Sequence, residues 1–315
     1  VDLLFNPNFL NTGGVFPQNP YVNVGKMVNK GIDLQIIKRI KINNEWGMTL
    51  DGNISPIHNE ITQIASGQTY FEPSTGNFRN LQLVRNAVGQ PISSFYGYQV
   101  AGYFASAADV AASPTQAGAG PGRFKYKDAN GDGKIDDTDR VFMGSPVPKF
   151  TYGLNINVKY RNWSLDAFVY GVYGNKIMNF SKWYTNFYQS FSGAGLSKNM
   201  LQSWTPALGN SAKTPIAESA SNFSTNTVSN SWYMESGSYL RLKNLQINYS
   251  LPQSVLSKMG VQRVKVFVQA VNLFTITKYT GQDPEIVGNV DVTRGVDVGN
   301  YPATRYYGFG LNVGF

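Results

Sequence analysis

The sequence predicts an all-β protein whose strands form the wall of a transmembrane antiparallel β-barrel. Three features carry that reading. Segments of roughly ten residues alternate apolar and polar side chains, the period-two pattern of a sheet with one apolar and one polar face. Trp46, Tyr152, Tyr160, Trp163 and Tyr307 stand near the ends of such segments, where interfacial aromatic girdles lie. Turns of a few residues alternate with loops of tens, and outer-membrane barrels place their long loops on one side. A soluble sandwich would bury the apolar face as its core. A membrane barrel turns that face to lipid and lines its lumen with the polar one.

Composition agrees. The 315 residues include 19 Tyr, 19 Phe and 32 Gly, and charged residues make up 15%, against about 25% in ordinary soluble domains. Mean hydropathy is −0.25, and no stretch approaches the ~18 consecutive apolar residues of a spanning helix. The net charge of +8 is scattered along the chain without an aromatic-interleaved basic cluster, which argues against nucleic-acid binding. With no Cys, there is neither a disulfide framework nor a thiolate metal site.

Taken in order, the first clear strand spans 29–42, with Ile32, Leu34, Ile36, Ile40 and Ile42 on one face and Asp33, Gln35, Arg39 and Lys41 on the other. Asn43-Asn44 turns the chain into 45–57, where Trp46, Met48, Leu50 and Ile54 oppose Thr49, Asp51, Asn53 and Ser55. Weaker patterns put strands at 78–86 and 92–103, joined by a turn at 87–91. Tyr152, Leu154, Ile156, Val158 and Tyr160 define 149–160, and Trp163, Leu165, Ala167 and Val169 define 162–173. In 238–250 the phase changes between Leu240-Leu242 and Leu245-Ile247, which predicts a bulge. Strands at 262–274 and 303–315 complete the set, about nine in all. With the last strand running inward, the turns at 43–44, 87–91, 161 and 251–261 all fall inside. The loops 58–77, 104–148, 174–237 and 275–302 fall outside.

Single-chain bacterial barrels close with even strand numbers. The chain opens at Val1-Asp-Leu-Leu-Phe without Met or a signal-peptide pattern. Both features lead to the expectation of a longer parent with further strands on the N-terminal side.

The loop 104–148 carries the most specific local motif, Asp128-Ala-Asn-Gly-Asp-Gly-Lys-Ile-Asp-Asp-Thr-Asp139. Oxygen-bearing side chains at positions 1, 3, 5, 9 and 12, with Gly133 at position 6, match the spacing that wraps a hard cation. The expected Ca²⁺ ligands are Asp128, Asn130, Asp132, Asp136 and Asp139, with Lys134 contributing its carbonyl; Asp137 points to solvent. Asp139 stands where an EF-hand has Glu, and no flanking helix is evident, so the ion's expected role is structural. A solvated, Asx-rich turn is the plain alternative.

Four stretches, in their joint order, resemble the SusC/RagA-like TonB-dependent transporters of Bacteroidetes outer membranes. They are Pro91-Ile-Ser-Ser-Phe-Tyr-Gly-Tyr98, the acidic loop running into Gly144-Ser-Pro-Val-Pro-Lys-Phe-Thr-Tyr-Gly153, Tyr239-Leu-Arg-Leu-Lys-Asn-Leu245, and Asn272-Leu-Phe-Thr-Ile-Thr-Lys-Tyr279 with Asp283-Pro-Glu285. The resemblance covers most of the chain and the C-terminal part of a much longer family protein. It implies a plugged barrel of about 22 strands. It further implies import of oligosaccharides or peptides across the bacterial cell outer membrane, a SusD-like surface lipoprotein as cap, and a TonB complex as energy source. The ending Tyr307-Gly-Phe-Gly-Leu-Asn-Val-Gly-Phe315 resembles the signal read by barrel-insertion machinery.

An enzyme is not expected. The single histidine, His58, lies at a strand end without a nucleophile motif, and Glu45 and Asp51 are better explained as lumen-facing. Trp183, Tyr184, Phe187, Tyr188, Phe191 and Trp232 in the 174–237 loop either stack on a ligand or lid protein or anchor the loop on itself. Two other classes compete with active import: a passive pore or surface-assembly scaffold, and a soluble Ca²⁺-binding adhesion or carbohydrate-binding module. A plug domain in the parent separates the first from import, and a requirement for detergent separates the second.

Overall fold

In the computed structural model of the chain, residues 2–5, 22–64, 67–73, 81–188, 193, 195–286 and 294–315 are described. One antiparallel sheet organises them. Its segments are β1 (Asp2–Phe5), β2 (Val22–Gly31), β3 (Leu34–Lys41), β4 (Trp46–Gln63), β5 (Phe150–Tyr160), β6 (Trp163–Tyr173), β7 (Tyr239–Ser250), β8 (Arg263–Val271), β9 (Thr275–Thr277) and β10 (Tyr306–Gly314). The order is β1-β2-β4-β5-β6-β7-β8-β10, with β3 continuing β2 along β4 and β9 continuing β8 along β7. The sheet is open, with β1 and β10 at its edges.

Register fixes the two faces. Asp51 lies opposite Asn155, Asn157 opposite Asp166, and Asp166 opposite Gln246, so one face is a polar ladder. Asn157 Nδ2 donates to Asp166 Oδ1 at 2.5 Å and Asn248 Nδ2 to Asp166 Oδ2 at 2.8 Å. The other face carries Leu50, Ile156, Ala167, Leu245 and Ala270 in one row. Ile36, Val268 and Phe309 on it are 64%, 55% and 91% exposed, a burial state that water does not tolerate over a whole face and lipid does. No helix among the described residues is long and apolar enough to cross a membrane.

The short turns share one rim. Asn43 Oδ1 accepts the amides of Glu45 and Trp46 at 2.8 Å each, and Arg161 turns β5 into β6 with φ +49°. A helix over Gln253–Met259, ended by the left-handed Gly260, joins β7 to β8. Trp46 stacks on Tyr160 (4.3 Å between centroids) and Trp163 packs on Tyr249 (4.7 Å) beside these turns, as an interfacial girdle does. The predicted bulge in β7 is there: Phe168 faces Asn244 and Val169 faces Leu242, leaving Lys243 as the extra residue.

Two expected wall strands are not part of the sheet. β4 pairs directly with β5, so 64–149 is a single excursion, and the turn at 87–91 belongs to it rather than to the inner rim. Of 78–86, residues 78–80 lie outside the described residues. In 92–103 every residue from Ile92 to Tyr98 is buried, so the segment has no lipid face to offer. Its backbone is held by the loops around it. Ser93 N donates to Asn86 Oδ1 at 2.7 Å, and Tyr98 N donates to the Ser229 carbonyl at 2.9 Å. A Cβ on Gly97 would lie 2.3 Å from that same carbonyl oxygen, which accounts for the glycine. Removing two strands at once preserves the alternation of rims.

The excursions 64–149 and 174–238 pack into one layer with its own core. Leu83, Val84, Phe95, Phe124, Met178, Phe180 and Tyr233 are at most 1% exposed there. Trp183 and Phe187 are buried in that core and Tyr184 and Trp232 pack against it, so these aromatics anchor the layer. Tyr188 is 46% exposed, and Phe191 lies outside the described residues. At 18 residues, β4 is longer than the 9–11 a tilted strand needs to span, and its upper part enters this layer, with Ile61 fully buried against Ile64 and Ile92.

Because Ile156 faces lipid and Asn155 the lumen, Ile156→Arg is expected to cost ~2–4 kcal/mol near the midplane and to cut membrane assembly. Asn155→Arg should assemble normally. Heat-modifiable mobility of the two variants on gels measures this, and equal behaviour would reject the assigned faces.

Candidate functional site

Where the polar face of the sheet meets the loop layer there is a cleft of about 390 Å³. Its wall is Thr151 of β5, Tyr170 and Val172 of β6, Tyr239 of β7, Asn59 of β4 and Asn29 of β2; its rim is Pro146–Pro148, Pro284–Ile286 and Arg294. Asn59 Nδ2 donates to Asn29 Oδ1 at 2.5 Å, and Asn59 Oδ1 accepts the Ile92 amide at 2.7 Å. Asn175 Oδ1, also at the cleft, is buried without a hydrogen-bond partner among the described residues. Amides, phenols and a guanidinium around a wet cleft can hold a polar solute by hydrogen bonds and aromatic faces.

One side of the cleft is fixed by an ionic cluster. Arg241, its side chain 3% exposed, donates to Asp283 Oδ1 (2.5 Å), Glu285 Oε2 (2.7 Å) and Thr275 Oγ1 (2.8 Å). Lys243 Nζ reaches the two Glu285 oxygens at 2.9 and 2.6 Å. Two residues apart on β7, Arg241 and Lys243 share the inner face by simple alternation, and the bulge then sets Asn244 opposite Phe168 on that face as well. The same bulge meets the break between β8 and β9, where Asn272 takes φ +53° and its amide donates to the Lys243 carbonyl at 3.0 Å. Burial pushes the Asp283 carboxyl up, but the Glu285 and Ala303 amides and the Arg241 guanidinium outweigh it and hold it below its ordinary 3.8. The cluster thereby ties Asp283 and Glu285 to the inner wall, and Ala303 through Asp283.

The expected ion ligands sit together on the loop layer, away from the cleft. Asp128 accepts the Gly131 amide (2.6 Å) and the Gly133 amide (2.9 Å), and the Gly133 bond leads in holding its carboxyl low. Asp132 accepts the amide of Lys134, and Asp136 accepts from both the amide and the hydroxyl of Thr138. Asp139, 1% exposed, caps Ala129 at 2.7 Å and Asp136 at 2.9 Å. Asn130 bonds Thr138 at 2.8 Å. The loop closes on its own amides, and among the described residues no three acidic or histidine side chains converge as a metal site. Asp137 is exposed, as expected, and also accepts from the Tyr98 hydroxyl. His58 is 65% exposed on the outer face of β4, 3.2 Å from Glu60.

Tyr239–Leu245 and Asp283–Glu285 are both distinctive in the sequence, but nothing local pairs them. The signal was present as two cations in one stretch and two carboxylates in the other. The cleft residues Asn29, Asn59 and Tyr170 left no such signal, since they are ordinary polar positions on three different strands.

A two-faced wall with long loops gathered at one rim, and a polar cleft beneath them, defines the class: part of a transmembrane β-barrel. No protein-family model matches the chain. It is 33% identical over its whole length to TonB-dependent receptor P3 of Formosa agariphila, and 26% identical to TonB-dependent receptor SusC of Bacteroides thetaiotaomicron. It spans 31% and 29% of the lengths of those two proteins. Among solved structures, the RagAB peptide transporter superposes with a TM-score of 0.75 at 25% identity, over 95% of this chain and 30% of that one. The RagAB peptide importer in its closed-closed state gives 0.76 at 24% identity, over 100% and 32%. The chain is SusC/RagA-like and belongs to the TonB-dependent receptors.

Arg241→Met should leave Asp283 buried and unpaired, at a cost of ~3–5 kcal/mol. The expected outcome is proteolytic cleavage within 278–305 while the sheet stays intact; resistance equal to wild type would dismiss the tether. Since the Asp283 pKa is depressed, its contribution is fully present above 3.8 and lost as pH falls below that. Acid proteolysis should therefore open the segment only below that value, with protection flat from neutral pH down to it.

Proposed function

We propose that the chain forms part of the barrel of an active importer in the bacterial cell outer membrane, carrying a large polar nutrient, an oligosaccharide or a peptide. The observation that supports this best is the polar cleft on the inner face, roofed by segments pinned to the wall through Arg241 and Lys243. Names of the similar proteins support the same reading, since two of the solved ones are described as peptide transporters. A SusD-like surface lipoprotein would sit on the loop layer, whose packed core gives a rim firm enough to carry a lid. Energy would come from a TonB complex acting on a plug.

Uptake by the full-length parent should stop when TonB is deleted, while surface binding of the solute persists. Undiminished uptake without TonB would favour a passive pore.

Calcium in the 128–139 loop belongs to the same proposal. The donors Asp128, Asn130, Asp132, Asp136, Asp139 and the Lys134 carbonyl are oxygens, as a hard cation requires. Extracellular modules of this kind bind at ~10⁻⁴–10⁻³ M. Calcium at that level should slow proteolysis of 104–148 severalfold, and Asp128→Ala should abolish the effect. Identical digestion with Ca²⁺ and with chelator would exclude a structural ion.

A further inference from the structure

The inner face of the wall carries unbalanced charge near its short-turn rim. Arg39 and Lys41 of β3 and Lys159 of β5 share the face that holds Asp51 and Asn155. None of the three has an ion pair or a side-chain hydrogen bond among the described residues. Carboxylates on this part of the wall are spent elsewhere. Glu45 pairs with Arg161 at 2.8 Å, Asp51 accepts the Gln35 amide at 2.7 Å, and Asp166 accepts from Asn157 and Asn248. Register sets the cations around a gap. Lys41 and Lys159 both lie opposite Gly47 of β4, one on each side of it. Neighbouring strands stand ~4.8 Å apart, so the two lysine backbones are about 10 Å from each other with no side chain between them. Arg39 is the next inward position along β3, about 7 Å away. The backbone does not require glycine at 47. Its φ is not among the positive ones, and a Cβ there would meet nothing closer than the Ile40 carbonyl oxygen at 3.9 Å. Gly47 therefore leaves open a space that almost any other side chain would fill.

Charge selects the ligand. Three cations that repel one another around an open cradle fit an anionic group placed between them. Two ammoniums and a guanidinium fork offer N–H donors and no acceptor, which suits a carboxylate or a sulfate and gives a neutral hydroxyl no advantage. The cradle lies on the same inner face as the cleft, so a solute leaving the cleft for the short-turn rim travels along it. We propose that Arg39, Lys41 and Lys159 hold an anionic group of the transported solute across Gly47, and that the cargo is an acidic one bearing carboxylates or sulfates. The inference rests on the import reading and adds to it the charge of the cargo.

The test is equilibrium binding by calorimetry on the intact full-length transporter, with no TonB present, so its failure leaves the uptake experiment untouched. Trigalacturonate, a chondroitin sulfate tetrasaccharide and tetraglutamate are the anionic probes; maltotetraose and capped tetraalanine are the neutral ones. Which anionic probe binds tells a uronate, a sulfate ester and a peptide carboxylate apart. At least one of them should bind saturably, about tenfold or more tighter than both neutral probes, and should weaken as salt is raised. Lys41→Gln with Lys159→Gln should raise its Kd about tenfold or more, whereas Lys41→Arg with Lys159→Arg should keep binding tight. Gly47→Asp puts a carboxylate into the gap without a backbone clash and should abolish binding by itself. Failure of every anionic probe overturns the proposal, as does equal affinity for the neutral ones. So does anion binding that survives both the double Gln variant and Gly47→Asp, because the anion is then held elsewhere or the cations face an acidic segment of the protein.

Discussion

Inside a hydrocarbon layer a backbone amide finds no water, so each N–H and C=O of a spanning strand must bond to a neighbouring strand. That constraint sets the architecture of this chain. It forces continuous ladders from β2 to β10, and it makes each residue of the wall face either lipid or lumen. The apolar row through Leu50, Ile156 and Ala167 and the polar row through Asp51, Asn155 and Phe168 are consequences of one register. Phe168 is apolar on the polar face, a reminder that the lumen tolerates what lipid would not.

The ladder also determines where specificity can be built. A strand that stays in register alternates, so Arg241 and Lys243, two residues apart, share one face and reach one carboxylate, Glu285. The bulge at Lys243 shifts the phase of the strand beyond it, and the matching break at Asn272 lets β9 resume pairing with β7. A buried guanidinium is costly unless its donors are met. Here Asp283, Glu285 and Thr275 meet them, and the result is a loop segment fixed against the wall at the edge of the luminal cleft.

Outside the membrane the constraint relaxes, and the chain solves a different problem. Excursions of this length could not stay ordered as bare loops, so they share an aromatic core. Phe124, Phe180, Phe187 and Tyr233 make it, and backbone bonds cross between excursions from Tyr98 to Ser229 and from Phe124 to Ser224. Glu235 joins the layer to Thr280, bonding it together with Lys182 and Asn179. The acidic turn at 128–139 hangs on this layer by Ile135, which is buried while its neighbours are exposed.

The sequence by itself determined the wall. Period-two alternation is a local property of each strand, so the faces, the rims, the aromatic girdle and even the bulge were legible from 29–57 and 149–315. The acidic turn was legible too, because its hydrogen bonds run between residues close in sequence. Tertiary structure decided the rest. The segment 92–103 reads as a strand by composition, but contacts with 222–231, more than a hundred residues away, bury both its sides and remove it from the sheet. The luminal cleft arises from side chains on separate strands and loops that only the paired ladder and the packed layer bring within reach. Alternation states which way a side chain points; it does not state which distant side chain it will meet.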